Sequence, residues 1–171
     1  MALRKIVQYG HPVLHRAAEP IQDINEEILS LAQDMVETMH AAPGIGLAAP
    51  QLGMSQRLIT VDLSVGEKAD ELIIMVNPEI LEAEGESIEE EGCLSVPEIR
   101  EKVRRPARIL VRGLSLEGQE IKIEASDLLA RVFCHELDHL EGRLFLDRLS
   151  PLKRQLLRRR LQRQLGLSSK E

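Results

Sequence analysis

Two histidines stand four positions apart in His135-Glu136-Leu137-Asp138-His139, with a glutamate directly after the first. The run lies in an apolar stretch with helical spacing, so both imidazoles fall on one face about a turn apart. Two imidazoles on one face can grip one metal ion. A glutamate beside them can take a proton from a water on that ion. A metal-hydrolase mechanism follows from this single turn, provided a third ligand exists. By itself the pattern also suits a charged helix whose histidines are surface or capping residues.

The residues after the pair narrow the choice. One zinc-protease pattern continues H-x-x-G-x-x-H. Here His139 is followed by Leu140-Glu141-Gly142-Arg143-Leu144-Phe145, so the glycine is kept and Phe145 takes the ligand's place. A second pattern takes a glutamate well downstream, but beyond Glu141 the chain offers only Glu171. The third ligand must come from elsewhere. Cys134 precedes His135 and points about 100° around the helix from it, a poor direction for the same ion. Cys93 lies far upstream in Glu91-Gly92-Cys93-Leu94-Ser95, flanked by turn formers. A thiolate with two histidines leaves one position open for water, as a catalytic site requires. A buried free thiol and a Cys93–Cys134 disulfide remain alternatives, the second only in an oxidising compartment.

A third segment reads Gly44-Ile45-Gly46-Leu47-Ala48-Ala49-Pro50-Gln51. Its small residues let backbone approach a ligand closely, and the Gln51 amide can donate two hydrogen bonds. Alone it is an ordinary loop after a helix. Together the three segments resemble the peptide deformylase family, which carries G-x-G-x-A-A-x-Q, E-G-C-x-S and H-E-x-D-H in this order. The resemblance runs from Tyr9-Gly10-His11-Pro12 to the helix after Pro151.

The resemblance implies removal of the N-terminal formyl group from N-formyl-methionyl nascent peptides, releasing formate. It implies Cys93, His135 and His139 as ligands of one divalent metal, iron(II) in the cell, with zinc, nickel or cobalt able to substitute. Glu136 is then the proton carrier. Gln51 and the Leu94 backbone N–H are the oxyanion donors. Gly46, Leu128 and Val132 are substrate-binding positions. Glu91 and Arg105 match positions that hold the cysteine loop, although a plain surface ion pair is the simpler account of such residues. Asp138 lies off the two-histidine face and is expected to support rather than bind the metal. His11, His15 and His40 have no partner pattern. Two departures stand out. Cys134 replaces a glutamine common before the first histidine. Arg131 interrupts the apolar wall that Leu128, Val132 and Phe133 would form, so it should snorkel outward or alter the pocket.

Elements must bring these segments together. Ile24, Ile28, Leu31, Met35 and Met39 recur at helical spacing, predicting a helix over Asp23–Met39 capped by Asp23 or Asn25 and stopped by Pro43-Gly44. Leu58–Leu63 and Leu72–Val76 read as strands, the second ended by Asn77-Pro78. Arg108–Leu116 and Gln119–Ile123 form a predicted hairpin turning at Glu117-Gly118. Ser126 should cap the motif helix, which Gly142 ends, and Ser150-Pro151 should open a last one. The expected class is α+β, with antiparallel sheet packed on a central motif helix, in one domain spanning residues 1–171.

Bulk properties set the outer limits. Aromatics are only 2% with no Trp, so the core must be aliphatic. No apolar run is long enough for a membrane span, and the first residues lack a signal peptide's apolar core. A cytoplasmic protein with reduced thiols is expected. Net charge is −6. From Ser150 onward seven Lys/Arg and one Glu give +6, leaving −12 for the body. The acidic body argues against a nucleic-acid substrate. The basic stretch 150–171 resembles the family's C-terminal helix associated with ribosome contact, though a solvated helix face would carry the same charges. Two other classes compete: a zinc peptidase or other amidase, and a non-enzymatic metal-binding domain, which would normally enclose its ion with four protein ligands.

Overall fold

The structure is a computed structural model that describes residues 2–166. The last part of the expected basic tail, residues 167–171, lies outside the described residues. Helix α1 spans Glu26–Ala41, and Asn25 caps it by accepting from the Ile28 N–H at 3.1 Å. Short strands β1 (Gly46–Ala48) and β2 (Leu58–Val61) lead to the long β3 (Ile73–Glu84). A hairpin of β4 (Ser87–Cys93) and β5 (Val96–Arg105) follows. Strands β6 (Arg108–Leu114) and β7 (Glu120–Ser126) run into α2 (Asp127–Leu140). Helix α3 covers Pro151–Gln164, with the Ser150 hydroxyl accepting from the Lys153 N–H. The α+β class holds, with α2 carrying the His-Glu-Leu-Asp-His run.

Five strands form one antiparallel sheet in the order β1-β2-β3-β6-β7, and β4-β5 stand as a second, two-stranded sheet. Side chains alternate across a strand, and β2 shows the consequence. Ile59 and Val61 join the cluster under α2 with Met75, Val111, Phe133 and Leu137. Leu58 joins the cluster under α1 with Leu31, Met35 and Met39. Both faces of this strand are covered, which is why all its residues are buried. A third cluster of Val96, Ile99, Val103, Phe145 and Leu161 seats the β4–β5 hairpin against α3. No helix of the described residues is long and apolar enough to cross a membrane.

Three expectations need correction. Asn77-Pro78 does not end its strand; β3 passes through with a register shift between Val76 and Glu79. Pro78 lacks an N–H, and the irregularity lets the ladder skip it. Asn77, at φ 51°, turns its side chain to bond both Ile21 N and Ile21 O at 2.8 Å. Ser126 sits at the N-cap of α2 but makes no capping bond; it still pairs with Arg108, and Asp127 turns the chain with φ 54°. The segment Gly44–Gln51 is not wholly loop, because Gly46–Ala48 pairs with Ile59–Val61 as the sheet's edge.

Candidate metal centre

The four-residue spacing on α2 places His135 and His139 side by side, ring centroids 5.0 Å apart. The β4–β5 hairpin delivers Cys93 from the opposite side. Its Sγ lies 3.4 Å from His139 Nε2. Among the described residues, one ligand atom from each of Cys93, His135 and His139 lies within 4.8 Å of the others. Both cysteines are free thiols, which removes the disulfide alternative. Cys134 is not in the cluster. It faces a separate cavity of about 350 Å³ behind α2, and burial pushes its thiol up to about 11.

The donor set fits a cation. Glu91 Oε1 receives His135 Nδ1 at 3.0 Å, which leaves the other ring nitrogen for the centre. Burial, with help from neighbouring His135 and Arg105, holds His139 well below the usual histidine range, so it is a neutral, ligand-ready ring. For His135, burial works downward, but Glu136, Cys93 and Glu91 outweigh it and raise the ring well above its usual range. A cation bound here would displace that proton, a linkage common to metal sites. Glu136 is 3% exposed, its Oε1 has no hydrogen-bond partner, and burial pushes its carboxyl up to about 7.

The rest of the cluster is an open cleft of about 480 Å³. Gln51 sits beside the thiol. Its Oε1 accepts from Ala48 N at 3.0 Å, while its Nε2 lies 3.3 Å from Ser95 Oγ and 3.6 Å from Cys93 Sγ. Gly46, Gln51, Leu94, Leu128 and Val132 all line this cleft with Cys93, His135 and Glu136. Gly46 is pressed against the centre: a β-carbon there would lie 2.5 Å from Glu136 Oε2.

The polypeptide deformylase family model matches residues 3–155. The chain belongs to this family. It is 51% identical over 163 residues to a peptide deformylase of Acidobacterium capsulatum, covering 95% of this chain and 96% of that one. The crystal structure of a peptide deformylase from Legionella pneumophila superposes with a TM-score of 0.90 at 42% identity, covering 99% of both chains. A peptide deformylase from Ehrlichia chaffeensis, solved in complex with actinonin, gives a TM-score of 0.87 at 34% identity, over 96% of this chain and 98% of that one. The family is one of hydrolytic metalloenzymes that act on the N-formyl group of nascent peptides.

Against this deformylase frame, the two departures and the supporting pair take definite places. Glu91 and Arg105 are buried, 5% and 3% exposed, so theirs is not a surface ion pair. The Arg105 fork meets Glu91 at 2.8 and 2.9 Å, and its remaining arm meets Asp138 at 2.6 Å. Burial alone would raise the Glu91 carboxyl, but Arg105 and His135 outweigh it and hold it far below the carboxylate range. Asp138 also receives Arg148 at 2.6 Å, so it braces the back of α2. Arg131 does not snorkel outward; it stays in the cleft wall. It is buried, and its head turns under the hairpin to Glu91. Phe133 does not line the cleft; it is fully buried among the sheet residues. Sequence reasoning missed the β4–β5 hairpin that carries Cys93. Its local trace in the sequence is weak: Ile99 and Val103 stand four apart among charged residues.

Proposed function

We propose that this chain removes the formyl group from N-formyl-methionyl peptides in the cytoplasm, releasing formate. The carrying observation is the convergence of Cys93 Sγ with the two α2 imidazoles beside a buried, partnerless carboxylate oxygen. Cys93, His135 and His139 would hold one divalent cation, which when bound supplies the Lewis acidity that makes water nucleophilic near neutral pH.

The chain's own residues do the remainder. Glu136 accepts a proton from the attacking water and passes it to the leaving amine. Burial pushes its carboxyl up to about 7 without a cation, and a bound cation would draw it down, leaving a carboxylate able to take the proton. The formyl oxygen gains charge as the carbon becomes tetrahedral. The Gln51 amide and the Leu94 N–H are the donors for that charge. Gln51 is held ready by Ala48, so little reorganisation is needed. Gly46 lies on the free side of the edge strand β1, where a substrate backbone can add as a further strand. Leu128 and Val132, with the stem of Arg131, wall the space for the methionine side chain.

Iron(II) is the cation proposed for the cell, and dioxygen would be the oxidant that inactivates the site by oxidising the metal and the Cys93 thiolate. Anaerobically purified protein containing only zinc yet fully active would contradict this. The basic α3 is proposed to contact the ribosome, since its charge suits an RNA-rich partner. Replacing the exposed Arg158, Arg159 and Arg160 with Gln, which leaves the buried Leu161 in place, should then weaken ribosome association in a salt-dependent way.

The test of the reaction is formate release from a formyl-methionyl tripeptide. Wild type should release formate and leave the unformylated peptide whole. Glu136→Ala should be slower by about a hundred- to ten-thousandfold. Cleavage of the unformylated peptide would instead identify a peptidase.

A further inference from the structure

Arg131 stands in the wall of the cleft, yet its charge is spent elsewhere. Its Nη1 donates to Glu91 Oε2 at 2.6 Å and to Val103 O at 2.8 Å. Its Nη2 donates to Ser87 O at 2.9 Å and to Ser87 Oγ at 3.2 Å. One guanidinium on α2 thus grips both strands of the β4–β5 hairpin. These are the two elements that carry the metal-ligating group, His135 and His139 on one and Cys93 on the other. Nothing covalent fixes the distance between them. Glu91, the residue Arg131 grips hardest, is also the acceptor for His135 Nδ1.

We propose that Arg131 is a positioning residue of the metal centre: it clamps the cysteine-bearing hairpin to the histidine-bearing helix and fixes the carboxylate that orients His135. This rests on the metal-centre reading above. Arg105 already satisfies Glu91 with a two-pronged fork, so Arg131 is not needed to neutralise that carboxylate. What Arg131 adds is reach. Its bonds to Ser87 and Val103 are to the hairpin itself, near its open end, where Arg105 makes none of its side-chain hydrogen bonds.

A positioning role and a purely electrostatic one have opposite signs here. Removing a buried positive charge near a cation site favours cation binding. It also leaves the Glu91 charge less compensated, which again favours the cation. Loss of the clamp loosens the ligand geometry and disfavours it. Outer residues that orient metal ligands typically matter by about ten- to a hundredfold in affinity.

The experiment titrates metal-free wild type, Arg131→Met, Arg131→Lys and Cys93→Ser with cobalt(II) under anaerobic conditions. It reads affinity by competition with a chromophoric chelator and ligand geometry from the visible absorption bands. Arg131→Met, which keeps the stem and loses the head, should bind cobalt about tenfold or more weakly, with displaced bands. Arg131→Lys, with charge but no fork, should fall between the two. Arg131→Met binding as tightly as wild type or more tightly, with wild-type bands, overturns the proposal. If Arg131→Met does not fold, Arg131→Lys decides, and wild-type affinity and bands in it overturn the proposal. Cobalt binding that is absent in wild type, or unchanged in Cys93→Ser, would instead sink the metal-centre reading itself.

Discussion

A β-carbon on Gly46 would lie 2.5 Å from Glu136 Oε2 and 2.8 Å from Val132 Cγ1. Gly46→Ala must therefore push the Glu136 carboxylate or the cleft wall aside. Misplacing a reacting group by about an ångström can cost about a hundredfold. We expect a loss of that order in kcat/KM, with the melting temperature little changed, from steady-state formate release and thermal unfolding. Cys134→Gln should behave differently. The thiol faces the cavity of about 350 Å³ behind α2 and not the ligand cluster. Turnover of that variant should stay within about tenfold of wild type, since replacement of a group that touches no reacting atom leaves the chemistry in place. The residue scale is where the sequence speaks most clearly, and also where it misleads. The spacing of His135 and His139 announces a shared face. Cys93 carries no such signal, because its partners lie more than forty positions away and only the family resemblance joins them. Arg131 misleads because a charged residue in a cleft wall reads as solvent-seeking. Its acceptors, Glu91, Ser87 and Val103, come from a hairpin that periodicity did not reveal.

That hairpin is the element on which the site's assembly turns. Strand β4 carries Glu89, Glu90 and Glu91 in succession, which hides the alternation a half-buried strand normally shows. In β5, Glu98 at φ 64° shifts the phase between the buried Val96 and the buried Ile99. Helices α2 and α3 were legible because their apolar spacing, Gly142 and Ser150-Pro151 are local signals. The β4–β5 pair depends on contacts made in three dimensions, with α2 through Arg105–Asp138 and Arg131–Glu91 and with α3 through Leu161. Breaking one of these buried contacts should have a large effect. Arg105→Met leaves Glu91 without its fork and Asp138 without one partner. Removal of one partner from a buried pair typically costs about 3–5 kcal/mol. Urea unfolding should show a loss of that size. A loss below about 1 kcal/mol would mean that the pair behaves like a surface one.

At the scale of the whole molecule, buried carboxylates tie loops to the body, and their ionisation links stability to pH. Asp62 shows this away from the metal centre. Burial works to raise its carboxyl, but donors from Ser64, His40 and Gly66 at 2.7–2.9 Å outweigh it, and the group lies below its ordinary 3.8. A depressed folded value means that the stabilisation is fully present above 3.8 and is lost as pH falls through the lower folded value. Unfolding free energy should therefore drop as pH falls below about 4, and Asp62→Asn should flatten that drop. Calorimetry over that acid range checks it; equal slopes would contradict it. The acidic body brings one thiol and two imidazoles close enough to share a single cation. X-ray absorption at the metal edge of the cobalt-loaded protein tests this most directly. The expected spectrum has one sulfur and two imidazole nitrogens per ion. A spectrum without sulfur, or with protein side chains filling every coordination position, would contradict it.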